Sequence, residues 1–230
     1  MPGIGNTEHL LGIIILSMFS TITKEPLATR EKIFVEILRD LEAQRMVPGQ
    51  RIAEADLVTR FCVGRNAVRE GIQLLSERGI IELSPNKSAV IRRFTREEAE
   101  GVMDLCSTLN GLLARTAAQN FSDHHAAMFA KSLAEAEDAH PQGEQAFARA
   151  RRHFTIALLE IAGNSELKRV FPMAGIAIFN AQFRSPAISA LQVDIFKRIY
   201  AAVTAKNVTA AEKAGRASVE NLRKAVAQFF

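Results

Sequence analysis

Cysteine is scarce in this chain of 230 residues: Cys62 and Cys106 are all it has, and neither stands in a CxxC or a Cys/His spacing. That argues against a disulfide framework and against a zinc finger, and a reducing cytoplasm fits best. Enzyme signatures are missing as well. No HExxH pair, no glycine-rich phosphate loop and no GxSxG nucleophile turn occurs, so an enzyme finds no support. Long apolar runs are absent apart from His9–Phe19. That run is shorter than the roughly 20 residues that span a bilayer, and Glu8 precedes it while the first basic residue is Lys24, which is the wrong order for a secretory signal. Residues 1–28 are read as an N-terminal extension that packs on the body or on a partner subunit. Internal repeats and low-complexity tracts are also lacking.

Charge imbalance is small, +4 over the chain, but it is unevenly spread. Residues 51–93 hold eight Lys/Arg against five Asp/Glu. Most of the excess therefore falls in one short stretch, where a polyanion would feel it. The same stretch is punctuated in a distinctive way. Thr29–Ala43 carries Ile33, Phe34, Ile37, Leu38 and Leu41 on one helical face, and Met46-Val47-Pro48-Gly49 is expected to stop it. Glu54–Phe61 presents Leu57, Val58 and Phe61 on one side, and Cys62-Val63-Gly64 is a tight turn in which Gly64 is expected to take a backbone angle costly for other residues. Asn66–Arg78 sets Val68, Ile72 and Leu75 at i, i+4 and i+7, which leaves Arg65, Asn66 and Arg69 on the opposite face. Ile80–Leu83, a turn over 84–88 and Ala89–Ile91 predict a hairpin with Lys87 at its tip. Residues 29–94 thus predict a helix-turn-helix with a two-stranded wing.

From Thr95 onward the pattern is helix after helix. Thr95 and Glu98 form a capping box that opens a helix to about Asn120, with Val102, Leu105, Leu109 and Leu112 along one side. Ser122, Ser165 and Thr209 precede further helical stretches, and Pro141-Gln142-Gly143, Gly163-Asn164 and Ser185-Pro186 break them. Residues 95–230 are read as an all-α bundle of about six helices, so the fold class is mainly α.

A helix in the major groove can set Arg against guanine and Asn against adenine, each good pair contributing roughly 1–3 kcal/mol of discrimination. Arg65, Asn66 and Arg69 suit those roles. The Gly64 end of the helix favours a phosphate through its free N–H groups, and Arg51, Lys87 and Ser88 would add backbone or minor-groove contacts. A second reading stays open, in which Arg65 and Arg69 are solvated charges or partners of Glu70 and Asp56.

Pro48-Gly49-x-Arg51-Ile52-x-Glu54-x-x-Leu57, Val63-x-Arg65, Val68-Arg69-Glu70 and Pro85-Asn86-Lys87 resemble the winged-helix signature of the GntR family of bacterial transcription regulators. Phe154-Thr155-x-x-Leu158-x-x-x-Ala162-Gly163-Asn164 resembles a motif of the FCD effector domain found in its FadR-like branch. Two departures stand in the DNA module: Gly64 where the family has Ser or Thr, and Ser88 where it has Gly. The effector domain departs further. Positions that hold a metal in many FCD proteins align with Arg151, Thr155, Phe196 and Ser218, and Cys106 and Asn110 stand where Arg and Glu are common. None of Arg151, Thr155, Phe196 and Ser218 is an ordinary ligand to a divalent metal, the two hydroxyls being weak ones. His153 is about 200° around the helix from Thr155 and points elsewhere. His124 and His125 are read as pointing two ways, and His9 and His140 have no partner in sequence.

The resemblance implies a cytoplasmic homodimer that binds a double-stranded operator, a repressor relieved by a small-molecule effector. With the metal ligands replaced, no cofactor is expected. Arg151 could take the place of the metal and bind an anionic effector, with Thr155, Ser218, Phe196, Asn110 and Cys106 lining the cavity. The alternative is a dimeric DNA-binding protein whose helical domain is vestigial and ligand-free.

Overall fold

The computed structural model describes residues 28–83, 89–171 and 175–230, except for the side chains of residues 218 and 221. The expected N-terminal extension and the wing turn lie outside the described residues. Two compact units are present. One takes the described residues up to Leu41 together with Arg45–Arg92; the other takes Glu42–Gln44 and Arg93–Phe230.

The first unit contains α1 (Thr29–Glu42), β1 (Arg51–Ile52), α2 (Glu54–Phe61), α3 (Arg65–Glu77), β2 (Ile81–Leu83) and β3 (Ala89–Ile91). Its core follows the apolar spacing: Ile33, Phe34, Ile37 and Leu41 of α1 are buried along with Leu57, Val68, Ile72 and Leu75. The hairpin forms as expected, with Leu83 paired to Ala89 and Ile81 to Ile91. Sequence reading missed β1. It is two residues long and pairs antiparallel with β3, Arg51 opposite Val90, giving a sheet of order β1-β3-β2. So short a strand has no periodicity to detect.

One buried charge orders this unit. Asp40 of α1 is fully buried, and its carboxylate accepts from Arg45 Nε at 2.7 Å and from Arg60 Nη2 at 3.1 Å, with Arg60 Nη1 also donating. Arg60 lies on α2, so a single carboxylate fixes the end of α1 against the helix before the turn. The hydrogen bond to Asp40 raises the pKa of Arg60 further, outweighing partial desolvation.

The second unit consists, among the described residues, of seven α-helices rather than about six: α4 (Arg96–Asn120), α5 (Asp123–Ala139), α6 (Glu144–Ala162), α7 (Ser165–Val170), α8 (Ile176–Gln182), α9 (Pro186–Thr204) and α10 (Val208–Val226). The capping box at Thr95 forms in full: Glu98 N donates to Thr95 Oγ1 at 3.2 Å and Thr95 N to Glu98 Oε2 at 2.9 Å. Two other starts lie one or two residues earlier than expected. Asn164, not Ser165, caps α7 by accepting from the N–H groups of Glu166 and Leu167, and Asn207, not Thr209, caps α10 by accepting from Ala210.

The buried face of α4 also differs from expectation. Leu105 is 45% exposed, and Val102 and Leu112 are half-buried. Leu109 is buried as expected, and with it the helix buries Ala99, Met103, Gly111, Leu113, Ala114, Ala117 and Ala118. Small residues win because α4 and α10 approach almost backbone to backbone. A Cβ built on Gly215 of α10 would stand 2.3 Å from the Asn110 carbonyl oxygen, closer than any real Cβ contact. Close approach of that kind selects for size rather than hydrophobicity.

An aromatic cluster fills the centre of this unit. Phe154 of α6 stacks on Phe196 of α9 with ring centroids 4.2 Å apart, and Phe129 of α5 lies 5.3 Å from Phe154 and 4.9 Å from Tyr200.

Candidate nucleic-acid interface and effector site

Helix α3 turns one face into the core through Val68, Gly71, Ile72 and Leu75. The other face carries Arg65, Asn66 and Arg69, all exposed. Arg65 makes no hydrogen bond or ion pair among the described residues. Arg69 donates from Nε to Glu54 Oε2 at 3.1 Å, so its partner is Glu54 at the start of α2 and not Glu70 or Asp56. The Arg69 side chain remains 64% exposed in that pair. An exposed pair of this kind contributes only about 0.2–1 kcal/mol, which leaves the guanidinium available to a stronger anion. Arg51 is likewise exposed, on β1. Lys87 and Ser88 lie outside the described residues.

The turn before α3 corrects one expectation. Gly64 is the N-cap with φ −69° and ψ 157°, ordinary extended backbone that any residue adopts. The left-handed residue is Cys62, φ 52° and ψ 44°, which closes α2 by donating its N–H to the Val58 carbonyl. Glycine at position 64 therefore supplies openness rather than a special angle: nothing lies within 4 Å of where its Cβ would be. The first N–H groups of α3 have no side-chain cap, which is the arrangement an anion can satisfy.

In the helical unit, Arg151 and Thr155 lie one turn apart on α6, and the Thr155 hydroxyl donates to the Arg151 carbonyl at 3.1 Å. Arg151 extends toward α9, where its Nη1 reaches Gln192 Oε1 at 3.5 Å, and its guanidinium stands 6.0 Å from the Phe147 ring. Gln192 is one turn before Phe196, so α9 brings Arg151 and the Phe196 wall together. Sequence reasoning missed the other polar groups of this neighbourhood. Arg184 acts electrostatically on Arg151, and Glu144 acts on both. Ser189 Oγ donates to Glu144 Oε1 at 3.1 Å and lies 3.2 Å from His140 Nδ1. The one sequence signal for this group is Gln192, a polar residue one turn from Phe196 on an apolar helix face. Burial, reinforced by the charge of Arg184, pushes the Arg151 guanidinium down to about 10, with Glu144 opposing.

Cys106 is a half-buried thiol on α4, pushed up to about 12 by burial, and no hydrogen bond or ring contact joins it to Arg151 among the described residues. Asn110, also on α4, sits at the close crossing with Gly215. The Ser218 side chain lies outside the described set.

The residues at the expected metal positions do not suit a cation. A guanidinium repels one, Phe196 offers no donor atom, and the Thr155 hydroxyl is already engaged. Among the described residues no group of three or more His, Cys, Asp or Glu is placed to hold a metal. His153 does turn away from Thr155, its Nδ1 lying 2.7 Å from Glu135 Oε2 of α5. His124 and His125, by contrast, do not point two ways. Their rings lie 3.7 Å apart, and both Nδ1 atoms converge on the Ser122 hydroxyl at 2.8 and 3.1 Å, because the helix cap gathers the first turn. The Phe121 side and the neighbouring ring disfavour a charged His125, whose pKa falls through desolvation first and His124 second.

Residues 29–91 match the family model described as Bacterial regulatory proteins, gntR family, and residues 101–221 match the FCD domain model. A protein of Paenarthrobacter nicotinovorans named "Probable D-xylose utilization operon transcriptional repressor" is 22% identical over 157 residues, 68% of this chain and 69% of that protein. Among solved structures, McbR/YncC of E. coli superposes with a TM-score of 0.77 at 14% identity, covering 89% of this chain and 100% of that one. A GntR-type protein of Rhodococcus sp. RHA1 superposes with a TM-score of 0.71 at 19% identity, covering 88% and 98%.

Proposed function

The chain belongs to the GntR family of bacterial regulatory proteins, with an FCD domain in its C-terminal part, and on that premise we propose that it represses transcription by occupying an operator through α3 and leaving it when a small molecule enters the helical unit. It is a DNA-binding transcriptional regulator with an effector domain. The observation that carries the finer reading is the division of α3 into a fully packed apolar face and an exposed face of Arg65, Asn66 and Arg69. Arg65 and Arg69 suit guanine edges, Asn66 suits adenine, and Arg51, Lys87 and Ser88 suit the flanking backbone. The uncapped start of α3 at Gly64 takes the nearest phosphate.

Homodimerisation follows from the demands of affinity. Two copies of α3 spaced about 34 Å apart meet successive major grooves and double the contacts of one short helix. The half-covered side of α4, with Leu105 45% exposed, supports a second copy of the chain as its cover. A cytoplasmic, non-enzymatic regulator without a metal cofactor completes the reading, with Arg151, Thr155, Phe196, Ser218, Asn110 and Cys106 as candidate pocket residues. No described helix is long and apolar enough to cross a membrane.

Selecting bound fragments from sheared genomic DNA, followed by gel shift on the enriched sequence, tests the operator claim. Enrichment of a two-fold symmetric sequence with half-sites one helical turn apart is expected. Uniform recovery of all fragments would end it.

A further inference from the structure

The chain passes between its two compact units at Leu41–Glu42, at Gln44–Arg45 and at Arg92–Arg93, and the helical unit grips it beside two of these passages. Phe94 stands in the connection between β3, which ends at Ile91, and α4, which begins at Arg96. One side chain holds both of its backbone polar groups: Phe94 N donates to Gln182 Oε1 at 2.8 Å, and Gln182 Nε2 donates to the Phe94 carbonyl at 2.9 Å. A carboxamide bonded to both groups of one residue fixes that segment in position and in rotation, as a neighbouring strand would. The Phe94 ring is buried, and a Cβ built on Gly175, just ahead of α8, would stand 3.1 Å from its Cζ. The second grip is on Glu42, the last residue of α1. Arg184 Nη1 donates to the Glu42 carbonyl at 2.9 Å, and Arg152 of α6 pairs with the Glu42 carboxylate. Carbonyls at a helix C-terminus lack intrahelical donors and carry partial negative charge, so a guanidinium there is both satisfying and attracted. Between Gln182 and Arg184 lies Phe183, buried, with its ring 4.8 Å from Phe179, 5.5 Å from Phe229 and 5.6 Å from Phe230. Arg184 is held in turn by its Nε on the Asn180 carbonyl at 2.7 Å. One short turn between α8 and α9 therefore takes hold of both connections, and every one of these residues belongs to the helical unit.

We propose that Gln182 and Arg184 are positioning residues for operator binding: by pinning both connections to one buried aromatic cluster, they set the half-site spacing that a dimer accepts. A connection over residues 92–95 left free would let the DNA-binding unit wander, and the second half-site would then be met at a low effective concentration. A pinned connection keeps that concentration high at one separation and low at others, which turns a tether into a ruler. Both grips close on backbone, Gln182 on Phe94 and Arg184 on Glu42, so what they fix is the path of the chain. Burial of the Phe94 ring holds the connection to the helical unit; the carboxamide adds the direction in which it leaves. Neither residue lies on α3, so recognition of a single half-site does not involve them.

This role rests on the dimeric operator reading, and its test separates the two. Amide exchange of the full chain, followed by mass spectrometry over the peptide that contains Phe94, reads the grip without DNA. Gln182→Leu, similar in size but with neither donor nor acceptor, speeds exchange of the Phe94 N–H by about tenfold or more, whereas Gln182→Glu, which keeps the acceptor, speeds it less. Anisotropy titrations then use three duplexes: the selected operator, a single half-site, and the operator lengthened by about half a helical turn, roughly 5 base pairs. Wild type prefers the operator to the lengthened duplex by about tenfold or more. Gln182→Leu loses about tenfold on the operator, stays within about twofold on the half-site, and separates the two spacings by less than about threefold. Arg184→Lys, which replaces the fork by a single ammonium, changes in the same direction and carries the comparison if the leucine variant fails to fold. Unchanged exchange in Gln182→Leu overturns the proposal, as does an unchanged spacing preference once exchange has quickened, or an equal loss on half-site and operator, the mark of general destabilisation. A wild type that binds no duplex, or binds one half-site as tightly as two, removes the operator reading and the spacing role with it; specific operator binding that the variants leave unaltered removes only the spacing role.

Discussion

Truncating Arg65 or Arg69 to alanine separates a DNA-reading helix from a merely solvated one. If each guanidinium reads a base edge, its loss costs about 1–3 kcal/mol per half-site, a decrease in specific affinity of roughly five- to 150-fold for each half-site occupied. If it holds a phosphate instead, affinity falls on every sequence and the slope of log K against log salt flattens by about 0.9. Folding stability should scarcely notice. Arg65 has no partner among the described residues, and Arg69 loses only an exposed pair with Glu54, about 0.2–1 kcal/mol, so Tm drops by no more than about 1–4 °C. Glu54→Gln provides a control of opposite sign. It frees Arg69 and removes a negative charge from the groove-facing side, so binding should tighten by about two- to tenfold at low salt. Fluorescence anisotropy on operator and scrambled duplexes at several salt concentrations, paired with calorimetry, gives both quantities. Affinities within twofold of wild type for both arginine variants would refute the assignment, as would a weakening that merely tracks a collapse in Tm.

Gly215→Ala places a methyl group 2.3 Å from the Asn110 carbonyl oxygen, and because the obstacle is backbone, α4 and α10 must part. Overpacking of about 1–3 kcal/mol outweighs the gain of up to about 1 kcal/mol in helix propensity, so calorimetry should show a lower Tm; an unchanged or higher one contradicts the close crossing. Asp40→Ala removes the acceptor shared by Arg45 and Arg60, at a cost of about 1–3 kcal/mol. Both arginines can turn back to water, being 57% and 38% exposed, which keeps the penalty below that of a wholly buried pair; denaturant unfolding should register the loss, and DNA binding should fall with it. Gly64→Ser meets ordinary backbone angles and open space, so it should preserve Tm or raise it slightly by capping α3, and should not weaken operator binding in a gel shift; a loss of stability would contradict the extended cap.

Most of the DNA-binding unit was legible because its signals are local. Val68, Ile72 and Leu75 repeat at helical spacing, and the hairpin announces itself on both sides of its turn, whereas α1 stops at Glu42 with a left-handed Gln44, ahead of the expected Pro48-Gly49. What was missed depends on distant chain segments meeting. β1 exists only because β3 returns beside it, and the left-handed angle fell on Cys62 rather than on the nearby glycine. On α4 the expected stripe held at Leu109 but misled at Val102, Leu105 and Leu112 because the crossing with α10 rewards small side chains, and hydrophobic periodicity does not register size. Arg151 stood out in the sequence as a cation at a metal position. Its neighbours did not, since Arg184, Glu144 and Gln192 converge only when α6 and α9 pack.

The two thiols offer a consequence of practical use. Cys62 is exposed, three residues before Arg65 at the start of α3, whereas burial holds the Cys106 thiol protonated far above neutral pH. A maleimide dye at neutral pH should therefore mark one position and spare the other. Nature has left a built-in attachment point beside the proposed DNA-reading face, from which an emission change would follow duplex engagement in real time without altering any other residue.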